Sequence, residues 1–130
     1  MTKKPFVKQE VFDYVLTFLR KQGGPSMGGD GGCAYRGDEG RMCAVGCLIP
    51  DSVMDLEYNN SPVRNPKVIR MLKLIYTDFD QPSPILFSYM NFLDELQGAH
   101  DDHLGEDLDM FNSVMKGIAA RHNLLYTEPA

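Results

Sequence analysis

Residues 33–51 read CAYRGDEGRMCAVGCLIPD, and the fold class turns on how this stretch is folded. All three cysteines, Cys33, Cys43 and Cys47, lie in it. The charged run Gly37-Asp38-Glu39-Gly40 splits it, with Arg36 on one side and Arg41 on the other. Gly37 and Gly40 can supply the positive φ angles of a tight turn, flanked by residues 33–36 and 42–45 as two short strands. The expectation is a β-hairpin over residues 33–47, with Tyr35 and Met42 facing inward and Arg36 and Arg41 close together across the turn. Gly46 and Pro50 limit the second strand, and Asp51 is placed to cap a short helical turn.

Outward from this stretch the pattern is helical. Val7, Val11, Val15 and Phe18, with Phe12, Leu16 and Leu19, recur at spacings of three and four and predict a helix over about 8–21. Arg20 and Lys21 suit its last turn, and Gly23 suits the position after it. The run GGPSMGGDGG at 23–32 has no periodicity and reads as a flexible glycine-rich loop; it lacks the Gly-Lys-Ser/Thr ending of a phosphate-binding P-loop. Residues 55–66 form a polar loop, and Asn65-Pro66 opens a second helix with Val68, Met71, Leu72 and Ile75 that ends near Thr77. Ser83-Pro84 opens a third, carrying Leu86, Tyr89, Leu93, Leu96 and His100. A fourth starts near Glu106, with Leu108, Phe111, Met115, Ile118 and His122 on one line and acidic residues 106, 107 and 109 in its first turn. The tail from Tyr126 is expected to fray. The predicted fold is therefore α+β, mainly α: about four amphipathic helices packed with one small hairpin, as a single domain over 1–130.

An apolar fraction of 43% and a charged fraction of 24% are those of a soluble globular chain. No apolar run approaches the roughly 20 residues that span a bilayer, and the N-terminal basic residues precede no secretory h-region. An odd number of cysteines fits a reducing cytoplasm. Residues 1–75 carry 11 Lys/Arg against 8 Asp/Glu, whereas residues 76–130 carry 2 against 10. Such an acidic half repels phosphate, which argues against non-specific nucleic-acid binding. It suits a basic protein partner, although solvated helix faces explain it as simply.

Four kinds of chemistry can be weighed. Cys33, Cys43 and Cys47 with His100 or His103 have the donor types of a zinc site, but intervals of ten and four provide no Cys-x-x-Cys knuckle. Cys43 with His100 and Asp101 has the residue types of a thiol enzyme. Neighbours on a helix point about 100° apart, however, so His100 and Asp101 are not expected to orient one another. His100-Asp101-Asp102-His103 lacks the further ligands of a metal phosphohydrolase. Arg36 and Arg41, beside Tyr35, could fork onto an anionic group.

The string at 33–51, followed by LQGAHD at 96–101, resembles a family of small proteins encoded mainly by tailed bacteriophages. In that family a Cys-x-Tyr-Arg segment, a glycine turn and a Cys-Ala-Val/Ile-Gly-x-Leu-Ile-Pro-Asp run precede a helix ending in Leu-Gln-x-x-His-Asp. The resemblance implies an accessory protein acting in the cytoplasm of the infected host and implies no reaction. The hairpin and the end of the third helix are expected to meet. The expected ligand-binding residues are Tyr35, Arg36, Arg41, Gln97, His100 and Asp101, with no metal, cofactor or catalytic group. The partner would be a host protein or a small nucleotide-like signalling molecule of antiviral defence, with homo-oligomerisation left open. The alternative is a small thiol- or metal-dependent enzyme using Cys43 with His100 and Asp101.

Overall fold

The computed structural model describes residues 3–26, 34–59, 61–80, 84–103 and 108–129. Expectations that concern residues 27–33, Ser83, the His103 side chain, Glu106 and Asp107 lie outside the described residues. Four α-helices follow in order: α1 (Lys8–Gln22), α2 (Pro66–Lys73), α3 (Pro84–His103) and α4 (Leu108–Arg121). The termini of α1 and α2 are set by local chemistry. Gly23 takes φ 73° and returns its N–H to Leu19 O, closing α1. Asn65 accepts a hydrogen bond from Lys67 N at 2.9 Å, and Pro66 occupies the first helical position of α2.

α3 is the central element, packing chiefly on α4 and also on α1. Its buried face carries Phe92, Leu93, Leu96, Ala99 and His100. Before α1 the chain is extended, and Phe6 is buried among Tyr76, Phe79 and Tyr89, with centroid separations of 4.9, 5.4 and 4.4 Å. Lys4 N donates to Ile75 O and Thr77 N donates to Lys4 O, both at 3.0 Å. This pairing diverts the chain after α2, which ends at Lys73 rather than near Thr77. The tail does not fray as expected: Arg20 donates to Thr127 O and to Tyr126 Oη, each at 2.8 Å.

The predicted hairpin does not form. Among the described residues there is no strand, only the isolated bridge between Lys4 and Tyr76, so the fold is all-α rather than α+β. Residues 38–40 and 46–48 make 3-10 turns instead. The reason lies in where the backbone groups of the two flanks go. The Asn59 side-chain amide accepts from Arg36 N at 2.8 Å and donates to Arg36 O at 2.9 Å. The Gln22 amide does the same for Met42, accepting from its N–H and donating to its carbonyl, both at 2.8 Å. Tyr35 N donates to Asn59 O at 3.0 Å. Side-chain amides have thus taken the places that the opposite strand of a ladder would fill.

Candidate functional site

The turn at 43–48 and the end of α3 meet, joined through Gln97. Its Oε1 accepts from Val45 N at 3.1 Å and its Nε2 donates to Asp101 Oδ1 at 2.9 Å. Asp101 Oδ1 also lies 2.7 Å from His100 Nδ1. On the far side of the ring, His100 Nε2 accepts from Ser26 N at 2.9 Å. A backbone donor at Nε2 requires the neutral tautomer with its proton on Nδ1, directed at the carboxylate. His100 and Asp101 therefore do pair, contrary to the helical-wheel argument; the planar ring and the carboxylate swing toward each other at the last turn.

His100 is 0% exposed, and both its nitrogens are engaged. The ring acts as a structural tie. It fixes Ser26, whose own carbonyl accepts from Ala34 N at 2.9 Å, so the segments before and after residues 27–33 are held together. Ser26 Oγ reaches Arg41 O at 3.1 Å. Every buried side-chain nitrogen and oxygen among the described residues has a partner.

The two arginines do not act as one fork. Arg36 is largely buried and faces the 46–51 turn. It donates to Gly46 O at 2.8 Å and Tyr35 O at 3.2 Å, to Ile49 O, and to Asp51 Oδ1 at 2.9 Å. Asp51 is consequently a partner of Arg36. Arg41 points the other way, its guanidinium beside Gly24 and 3.8 Å from Glu39. Tyr35 is buried, and its hydroxyl donates to Ser61 O at 2.6 Å, so its ring is part of the core and not a stacking surface.

Cys43 and Cys47 are free and buried. Burial is the main cause that pushes both thiols up to about 12; Gly46 N–H, donating to Cys43 Sγ at 3.2 Å, offsets it only in part. A thiol held so high is the inverse of an activated nucleophile. Among the described residues no three His, Cys, Asp or Glu gather where they could hold a metal ion. No helix among them is long and apolar enough to cross a membrane.

Open space lies elsewhere. A groove of about 480 Å³ runs between the head of α1 and the Cys47–Pro50 turn. Val7, Val11, Tyr14, Leu48, Pro50 and Tyr76 line it, together with Lys4 and Glu10. Tyr14 is 54% exposed and stacks on Phe18 at 6.4 Å. The expected site residues include none of these. The signal available in the sequence was Tyr14 itself, an aromatic residue off the apolar stripe of α1.

The chain matches no known family model, no curated protein and no solved structure.

Proposed function

We propose that this chain is a non-catalytic accessory protein, of the kind a tailed phage makes in the host cytoplasm, and that it binds a host protein through the groove at the head of α1. The observation that carries this reading is a groove whose lining leaves Val7 and Tyr14 exposed by 40% and 54%. An exposed tyrosine in a concave setting is a common anchor of protein recognition. Lys4 and Glu10 provide both signs of charge, which suits a polypeptide and disfavours a nucleotide, whose phosphates Glu10 would repel. The rival readings have each lost a part. Arg36 is spent on carbonyls, which weakens anion sequestration, and the raised Cys43 thiol with a fully bonded His100 weakens thiol catalysis.

The test is affinity capture from host lysate with wild type and a Val7→Ser/Tyr14→Ala variant, beside a thermal-shift screen with nucleotides and cyclic dinucleotides. The expected result is a host protein retained by wild type and lost by the variant, whose Tm is nearly unchanged. Stabilisation by a nucleotide without any captured protein overturns the proposal, because a ligand that binds only the native state must raise its Tm.

A further inference from the structure

The C-terminal segment is docked on the side of α1 opposite the groove. α4 ends with Asn123 at φ 57° and Leu124 N donating to Ala119 O at 2.8 Å, a reversal that lays residues 124–128 along α1 and α4. The Gln9 side-chain amide grips Leu125 as a neighbouring strand would. Its Oε1 accepts from Leu125 N at 2.8 Å and its Nε2 donates to Leu125 O at 3.0 Å. Arg20 donates to Thr127 O and Tyr126 Oη, each at 2.8 Å, and to Asn112 Oδ1 at 2.9 Å. The Tyr126 ring has the Arg20 guanidinium 5.4 Å and the Lys116 ammonium 5.9 Å from its centroid. Lys116 also meets Glu128 at 3.3 Å. Leu125, by contrast, is 80% exposed.

The segment is thus held by its main chain, one tyrosine ring flanked by two cations, and one carboxylate. We infer that this α1–α4 face is a recognition site for an extended polypeptide carrying Tyr followed two residues later by Glu or Asp. The chain's own tail fills it in cis, and a segment of a protein partner with the same pattern fills it in trans. Bonds to backbone atoms hold any extended chain, so selectivity comes from cation–π contact with the tyrosine and from charge complementarity with the acid. The tail is exchangeable because it lies on the surface: Leu125, Thr127, Glu128 and Pro129 are exposed, and Leu124 and Tyr126 pack against the core only in part. Gln9 and Arg20 lie about half a turn round α1 from Val7, Val11 and Tyr14, so this site stands apart from the groove proposed above.

The experiment uses the full chain and a fluorescein-labelled peptide of residues 123–128, read by anisotropy. A tethered tail competes at an effective concentration of ~1 mM, so wild type should bind the peptide weakly. Tyr126→Ala, which loosens the tail and spares the site, should bind at least tenfold more tightly. Adding Arg20→Ala should abolish that gain. If Tyr126→Ala does not fold, Leu125→Pro serves instead, because proline removes the N–H that Gln9 accepts. A folded loosened variant that binds no tighter than wild type overturns the inference. So does a wild-type dimer that dissociates on Tyr126→Ala, since the second copy's tail would then be the occupant.

Discussion

Arg36→Ala is expected to cost stability. Arg36 is only 18% exposed at its side chain, and its guanidinium satisfies carbonyls of the buried residues Tyr35, Gly46 and Ile49. A hydrogen bond from a charged donor is worth roughly 1.5–3 kcal/mol. The Asp51 contact adds little, because that carboxylate is 93% exposed and screened. Counting Gly46 and Ile49 fully, Tyr35 weakly, and allowing water into the vacated space, the loss is about 3 kcal/mol. For a chain of 130 residues that is a fall in Tm of roughly 10–15 °C. Arg36→Lys should recover less than half of it, since one ammonium cannot span diverging carbonyls. Differential scanning calorimetry on wild type, both Arg36 variants and Asp51→Ala separates the contributions. A shift under about 2 °C for Arg36→Ala, with cooperativity unchanged, would falsify the assignment of Arg36 as a cross-tie.

Three other outcomes can be checked on the same protein. Iodoacetamide at about pH 8 should leave Cys43 and Cys47 unmodified in the native state and alkylate both in denaturant, as peptide mapping would read; alkylation of native Cys43 would revive the thiol enzyme. Burial raises the Glu95 carboxyl, but hydrogen bonds from His122 and Arg121 outweigh it and hold the group below the ordinary glutamate value. Its stabilisation is full above the unfolded pKa and is lost as pH falls through the lower folded one, so the Tm gap between wild type and Glu95→Gln should shrink from about pH 6 to pH 3. A gap that stays constant over that range counts against the pairing. Gly46→Ala would press a Cβ to 2.5 Å from Tyr35 O and should cost at least ~2 kcal/mol, whereas Gly98→Ala, with nothing within 4 Å, should add about 0.5–1 kcal/mol. Similar Tm values for the two would contradict the close approach at Gly46.

The helices could be read from the sequence because their causes are local. The stripe of α1, the Gly23 cap and the Asn65-Pro66 start each depend on residues within a turn or two, and all three appear where expected. The stretch at 33–51 carried equally local turn signals, yet whether its flanks pair depends on partners far along the chain. Gln22 reaches Met42 across 20 residues, Asn59 reaches Arg36 across 23, and Gln97 reaches Val45 across 52. A hairpin and a pair of extended segments braced by amide side chains have the same sequence pattern. The choice between them is made by where Asn59 and Gln22 come to lie. Burial was hidden for the same reason: Arg36 read as a free fork for an anion, but the 46–51 turn folds its carbonyls around the guanidinium. His100 and Asp101 pair because Asp101 is also held by Gln97, one turn back. The tail, short and containing proline, offered no local reason for order; Gln9 and Arg20, over a hundred residues earlier, supply it. By itself, then, the sequence determined the helices, since hydrogen bonds within a helix close over four residues. Tertiary structure alone decided which polar groups are spent and which surface stays open, because those bonds are closed by side chains that only packing brings together.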